Sequence, residues 1–312
     1  MSKAAFVFPG QGSQFVGMGK GLSKFVEARA VFEAADDALG ENLSELCFEG
    51  PEEALRRTAH TQPALLAVSM AAYAVLAKRV PLPAVACGHS LGEYSALTAA
   101  GAMAVGEAIR AVRRRGQLMQ QAVPEGVGAM AAVLGLAPQT VESVCEQVAN
   151  GQVLAPANYN SPEQTVIAGH AEAVQRAEPK LKDAGARRVL RLPVSAPFHC
   201  ALMDPIKPDL AEVLRRIEFK PLRFPVISNV EATANSEPQR LLPLLIEQVS
   251  RPVRWTDCVL EIERQGIKTV VEVGPGKVLS GLVKRVSKAF TVWNVEDEKS
   301  LEQFLKGAEV VG

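Results

Sequence analysis

The sequence predicts an α/β fold: a hydrolase-like large subdomain built on a mainly parallel sheet, with a ferredoxin-like small subdomain inserted into it. Three observations predict it. Short apolar runs alternate with longer stretches of helical period near both ends of the chain. A strand-like run passes through Gly88-His89-Ser90-Leu91-Gly92 directly into a helix-like run. Between these regions the order β-α-β-β-α-β is written over about 70 residues, the pattern of a split βαβ unit. The expected boundaries are residues 1–125 and 196–312 for the large subdomain and 126–195 for the small one. A chain of 312 residues that is 48% hydrophobic has enough apolar material for such a core.

Taken in order, Ala4–Phe8 reads as a buried strand and breaks at Pro9-Gly10-Gln11-Gly12-Ser13-Gln14, a turn of small residues. Such a turn can bring backbone N–H groups against a ligand. It is not a dinucleotide fingerprint, because Phe15 stands where a third glycine is needed. Nor is it a P-loop, because Met18 follows Gly17 where lysine is required. An amphipathic helix is expected over Gly21–Leu39 and a largely buried one over Thr61–Lys78. Pro83–Cys87 then supplies the strand that enters the Ser90 turn, and Glu93–Ala100 supplies the helix that leaves it. Val105–Ala122 is helical with an apolar stripe of Ala108, Ala111, Val112, Leu118 and Met119. Arg115 falls inside that stripe, while Arg113 and Arg114 fall toward solvent. A buried arginine needs a partner: a buried Asp or Glu would supply one, unless the side chain snorkels out to water.

From Gly126 the inserted unit follows. Ala129–Leu134, Val153–Asn158, Gln164–Ala168 and Arg188–Val194 are expected strands, with helices over Pro138–Ala149 and His170–Ala184 and a turn cluster at Tyr159–Glu163. The large subdomain resumes at Ser195–Cys200. Its remaining strands are Phe224–Ser228, Thr269–Val273 and Thr291–Val295, with a final helix over Lys299–Lys306.

Composition narrows the function. Thirty-four basic and thirty-four acidic residues balance, which gives no ground for a nucleic-acid partner. Five scattered cysteines without a C-x-x-C pair read as reduced thiols of a cytoplasmic protein, and no metal site is expected. The start lacks a signal-peptide core, and Pro63–Ala77 is too short to span a bilayer, so no membrane association is expected.

The strand–G-x-S-x-G–helix pattern is the context of a nucleophile elbow, with the Ser90 hydroxyl raised at a strand end over a helix N-terminus. A serine needs a base, and histidine is the usual one. Of His60, His89, His170 and His199, the last follows a proline-marked break where the small unit rejoins the large one, at the wall of a cleft. No carboxylate stands out as a third member, so a carbonyl could orient the imidazole. The Leu91 N–H is a natural oxyanion donor, and the Gly10–Gly12 turn is the source of a second.

Phe8–Gln14, Gly88–Glu93, Arg115-Gly116 with Met119-Gln120, Asn158–Pro162, Phe198-His199 and Glu272–Gly276 occur in that order. Together they resemble the malonyl-CoA:acyl carrier protein transacylases of fatty acid synthesis over nearly the whole chain. The resemblance implies an acyltransferase with Ser90 as nucleophile and His199 as base. It implies that the Gln248 carbonyl orients His199 and that the Gln11 and Leu91 N–H groups form the oxyanion hole. It further implies Arg115 on the malonyl carboxylate, Phe198 crowding out branched acyl groups, and Asn160 in polar contact with the thioester donor. The implied partners are malonyl-CoA and acyl carrier protein, with no cofactor and a monomeric chain. A (thio)esterase of the α/β-hydrolase type, or a non-catalytic carrier-docking module, would share the elbow. An esterase would place Asp or Glu behind His199 and would not need Arg115.

Overall fold

The computed structural model describes residues 3–194 and 196–310; Met1, Ser2, Ser195, Val311 and Gly312, and with them the chain start and the first residue of the 195–200 segment, lie outside the described residues. Among the described residues, ten strands form two sheets. They are β1 (Ala4–Phe8), β2 (Val85–Gly88), β3 (Gly128–Leu134), β4 (Leu154–Ser161), β5 (Gln164–His170), β6 (Arg188–Arg191), β7 (Val226–Ile227), β8 (Ala234–Asn235), β9 (Thr269–Val273) and β10 (Thr291–Val295). The large sheet runs β10-β9-β1-β2-β7-β8. It is parallel except for β8, which pairs antiparallel with β7 at the edge. The two-residue edge strand β8 has no counterpart in the sequence reading, because so short a strand leaves no alternation to detect.

Apolar alternation in the central strands explains why both faces are covered. Ala5, Val7, Val85, Cys87 and Val270 enter one core, roofed by the helices Trp255–Arg264 and Val278–Val286. Phe6, Phe8, Ala86, Val271 and Val273 enter the other, beneath the helices Val26–Leu39, Thr58–Ala77 and Val105–Gln121. A parallel sheet needs helices on both faces, which is why its strands read as continuous apolar runs. The first helix starts at Val26 rather than Gly21, after a short 3-10 turn at Lys20–Leu22.

The small sheet is built from residues 128–191 in the order β4-β5-β3-β6, antiparallel throughout. Ala131 and Val133 pack on the helices Pro138–Val148 and Ala171–Asp183, while Met130 and Ala132 face the large subdomain. β4 runs further than its sequence suggested. Tyr159–Ser161 remain in the strand through ladder irregularities, because Tyr159 and Ser161 still pair with Thr165 and Gln164; the turn narrows to Pro162-Glu163. Beside the cleft, Tyr159 N–H donates to the Val253 carbonyl at 2.9 Å, which ties the small sheet to the large subdomain.

All five cysteines are buried free thiols. Burial pushes Cys47 and Cys145 up to about 12 and Cys200 up to about 11, and raises Cys87 and Cys258 as well.

Two helices cross closely at Gly116, where an added Cβ would lie 2.7 Å from the Thr58 carbonyl oxygen and 2.9 Å from Ala59 Cα. Gly116→Ala therefore costs about 1–3 kcal/mol through overpacking. Gly281, inside the helix Val278–Val286, has nothing within 4 Å of that position, so Gly281→Ala gains about 0.4–1 kcal/mol. Urea denaturation of the two variants checks the opposite signs.

Candidate active site

Four loops at the carboxyl edge of the parallel sheet converge: those after β1, β2, β7 and β9. Crevices outside this edge are where open α/β sheets bind ligands. Ser90 follows β2 and opens the helix Leu91–Ala99, with φ 51° and ψ −103°. A non-glycine residue there is strained and must be held. Gly88 and Gly92 make room for the turn: an added Cβ on Gly88 would meet Gly92 backbone at 2.0 Å, and one on Gly92 would meet the Phe8 carbonyl oxygen at 2.0 Å.

The sequence-designated residues come together around Ser90. Its Oγ lies 2.7 Å from His199 Nε2, across 109 residues of chain. His199 Nδ1 lies 2.8 Å from the Gln248 carbonyl oxygen. A carbonyl can only accept, so Nδ1 carries the proton and Nε2 is left as an acceptor for the serine hydroxyl. The orienting group behind the imidazole is thus a main-chain oxygen, not Asp or Glu. Burial, and next the Arg115 charge, push His199 down to about 3, so the free site holds a neutral imidazole.

Arg115 is 1% exposed. Its Nη1 donates to Gln62 Oε1 at 2.8 Å, and its Nη2 donates to Gln248 Oε1 at 2.8 Å and Ser90 Oγ at 3.0 Å. Its guanidinium stands 5.3 Å from the centre of the Tyr94 ring. Among the described residues it forms no ion pair with a carboxylate. The neighbouring arginines differ from the sequence expectation: Arg114 is exposed, but Arg113 folds inward and pairs with Glu41, so only Arg114 points freely to solvent.

The Gln11 and Leu91 N–H groups have no protein acceptor among the described residues, and both residues border the space in front of Ser90. That space is a cavity of about 100 Å³, walled also by Met119, Met130, Leu192, Val194 and Phe198. It opens into a groove of about 770 Å³ between the two sheets, which shares Gln11, His89, Asn158, Leu192 and Val194 with it. Phe198 is 8% exposed and narrows the inner cavity. Asn160 lines the outer groove with its Oδ1 2.8 Å from His89 Nε2, so that oxygen is already engaged by the protein. The other histidines are engaged elsewhere: His60 with the Ala54 carbonyl at 3.1 Å, and His170 with the Val153 N–H at 2.9 Å.

Three residues of this site escaped the sequence reading. Asn229, just beyond β7, accepts from the Ser90 N–H at 2.7 Å and donates to the Gly88 carbonyl at 2.7 Å, so one side chain clamps both sides of the strained turn. Glu93 is buried one turn into the helix. Its Oε2 accepts from Asn229 N–H at 3.0 Å and from Gln248 Nε2 at 2.7 Å, and burial lifts its carboxyl to about 7 against those bonds. Gln248 Nε2 also donates to the Ser90 carbonyl at 3.0 Å. Gln62 carried a usable signal, a polar amide in the otherwise apolar run Pro63–Ala77 and its lead-in; Asn229 and Glu93 carried none that separates them from loop and helix-surface residues.

Chemically, the arrangement supplies a hydroxyl on a neutral base, two unused N–H donors beside it, and a buried cation. That suits acyl transfer through a serine ester of an anionic acyl group. Comparison with known proteins agrees. The acyl transferase domain family matches residues 5–309. The malonyl CoA-acyl carrier protein transacylase of Escherichia coli (strain K12) is 46% identical over 308 residues, 98% of this chain and 100% of that protein. The crystal structure of an acyl carrier protein S-malonyltransferase from Vibrio cholerae O1 superposes with a TM-score of 0.95 at 48% identity, covering 97% of this chain and all of that one. A malonyl-transacylase in complex with its type II PKS acyl-carrier protein superposes with a TM-score of 0.95 at 46% identity, over 98% and 100% of the two chains.

Asn229→Ala leaves the Gly88 carbonyl and the Ser90 N–H without partners at a strained turn, a loss of about 1–3 kcal/mol per orphaned buried group. We expect acylation of Ser90 to slow by at least about tenfold, read from single-turnover kinetics. Because His199 stays neutral well below its ordinary 6.5, the imidazole should give kcat/KM no acid limb near that pH; Glu93, lifted to about 7 in the same network, is the other titrating group, so a limb there that persists in Glu93→Gln would contradict the desolvated base.

Proposed function

The chain belongs to the acyl transferase domain family, among the malonyl CoA-acyl carrier protein transacylases, and from that premise we propose that it moves the malonyl group from malonyl-CoA to the phosphopantetheine thiol of acyl carrier protein by a ping-pong route. The observation that carries the reading is a buried, carboxylate-free Arg115 beside the Ser90–His199 pair.

Ser90 Oγ attacks the thioester carbonyl carbon while His199 Nε2 takes its proton. The oxygen that becomes negative lies toward the Gln11 and Leu91 N–H groups. The carbon–sulfur bond breaks, the proton passes from His199 to the departing CoA sulfur, and malonyl remains as an ester on Ser90. The carrier thiol then gives its proton to His199 and attacks the ester carbon, the bond from that carbon to Ser90 Oγ breaks, His199 returns the proton to Oγ, and malonyl leaves as the carrier thioester. Arg115 holds the malonyl carboxylate, a planar fork on a planar anion. Phe198 limits the room beside the acyl α-carbon, and Asn160 offers a polar contact along the groove to the thioester arm. Every proton and charge in this scheme is handled by protein groups, so we propose no cofactor and no metal. An Asp or Glu behind His199, as the esterase reading requires, is replaced by the Gln248 carbonyl.

Among the described residues no helix is long and apolar enough to cross a membrane; we propose a monomeric, cytoplasmic enzyme that supplies malonyl carrier for fatty acid synthesis. For carrier docking we propose a basic rim. Arg187, Arg188 and Arg285 line one open depression, and Arg285 also borders the groove to Ser90. Lys284, next to Arg285 in sequence, does not line that depression. Arg187 is paired with Glu163, so surface charge at the rim is shared rather than free.

Labelled malonyl-CoA without carrier should leave an acid-stable label on Ser90; active enzyme that carries none overturns the route. Arg115→Ala should cost malonyl transfer at least about a hundredfold, from loss of a charge-assisted pair, and should favour acetyl relative to malonyl; an equal fall for both donors would assign Arg115 a structural role only. Raised salt should lift KM for carrier while leaving the malonyl-CoA half-reaction nearly unchanged.

A further inference from the structure

The guanidinium that faces the pocket is already occupied when no substrate is bound. Arg115 spends Nη1 on Gln62 and shares Nη2 between Gln248 Oε1 and the nucleophile itself, Ser90 Oγ, at 3.0 Å. Its Nε has no acceptor. The hydroxyl meanwhile donates to His199 Nε2 at 2.7 Å. Ser90 Oγ has two lone pairs, and one of them is directed at a full positive charge. Electron density held by a cation is less available for attack. The same charge stands against the base, since a protonated imidazole beside Arg115 is a like-charge pair. Arg115 therefore opposes both halves of serine activation as long as its only partners are neutral oxygens.

We propose that Arg115 restrains Ser90 in the free enzyme, and that the malonyl carboxylate, by taking over the guanidinium, releases the nucleophile that attacks its own thioester. The inference deepens the transacylase reading and rests on it for the identity of the anion. A carboxylate brings two charged acceptor oxygens in the plane of the fork, and a charge-assisted pair outcompetes hydroxyl and amide oxygens for the same N–H groups. The two glutamines stay anchored when Arg115 turns to the carboxylate: Gln248 keeps Glu93 and the Ser90 carbonyl through Nε2, and Gln62 keeps Met119 Sδ through its own Nε2 at 3.6 Å. With the cation paired, the lone pair on Oγ is freed and the charge that opposes protonation of His199 is cancelled. An acyl group that lacks the carboxylate fits the same space but leaves the restraint in place. Selectivity for malonyl over acetyl then appears in the acylation rate constant at saturating donor, and not only in KM.

Malonyl differs from acetyl by one carboxylate, so acetyl-CoA together with formate supplies the two halves separately. The wild-type enzyme is assayed for acetyl transfer at saturating acetyl-CoA with sodium formate against sodium chloride of equal ionic strength. In parallel, Ser90 is modified with methanesulfonyl fluoride, a small neutral reagent that needs no CoA site. Formate should raise both rates several-fold, compete with malonyl-CoA, and lose its effect in Arg115→Lys, which keeps the charge and removes the fork. Formate that slows both reactions, or leaves both unchanged, overturns the proposal; so does formate that fails to compete, because a fork open to the malonyl carboxylate must admit the smaller anion. Equal stimulation of Arg115→Lys and wild type overturns it as well. The sulfonylation arm separates this inference from the transacylase reading. Formate-stimulated sulfonylation in an enzyme that does not turn over malonyl-CoA upholds the restraint and sinks the donor assignment, whereas malonyl transfer with no formate effect in either arm sinks the restraint alone.

Discussion

A guanidinium sealed from water whose hydrogen bonds all end on neutral oxygens is the constraint on which the rest of this site depends. Leaving a charge unpaired in the interior is costly, so such a group persists only where the fold surrounds it with acceptors. Three distant segments do so here. The helix Thr58–Ala77 brings Gln62, the elbow brings Ser90, and the helix Leu241–Gln248 brings its last residue. The close crossing at Gly116 sets Arg115 within reach of Gln62, and the tight elbow between Gly88 and Gly92 sets Ser90 within reach of Arg115. Packing without side chains at these places converts into position of charge at the centre.

Gln248 shows how economically the convergence is made. Its main-chain oxygen orients the imidazole, its side-chain oxygen accepts from Arg115, and its side-chain nitrogen reaches both the Ser90 carbonyl and Glu93. Glu93 in turn accepts from the main chain of Asn229, whose side chain clamps the turn around Ser90. Nucleophile, base and cation are thus members of one hydrogen-bonded network, and displacement of any member is felt by the others. Effects of substitutions among them should be strongly non-additive.

Much of this was legible in the sequence, for identifiable reasons. The elbow is local: strand, glycines, serine and helix follow one another, so the turn at Ser90 could be read from neighbours alone. Arg115 was legible because helical period places it among Ala111, Val112 and Met119. The split βαβ unit was legible from its order of elements. The network behind the site was not. Asn229 meets Ser90 from 139 residues away and nothing local distinguishes it from an ordinary loop amide; Gln248 was reached only through the family resemblance and only for its carbonyl, while its side chain, which meets the Ser90 carbonyl across 158 residues, was not foreseen. Glu93 looks like a favourable first-turn acid near a helix N-terminus, a place where carboxylates are usually solvated; the loop after β7 and the end of the helix Leu241–Gln248 cover it. Arg113 illustrates the same limit, since its angular position pointed outward until Glu41 gave it a reason to fold in.

The burial of the five cysteines acquires meaning beside this chemistry. A catalyst that receives its cargo from one sulfur and delivers it to another works among activated carbonyls that any stray thiolate would intercept by exchange. Attack requires the anion, and an interior thiol held at about 11 or above is essentially all S–H at neutral pH. Cys200 is the telling case: it follows His199 directly in sequence, yet its Sγ turns to the Pro197 carbonyl at 3.1 Å instead of the cleft. The protein keeps its own sulfur chemically silent, so that the only thiols able to compete for the acyl group are those that arrive on the donor and the carrier.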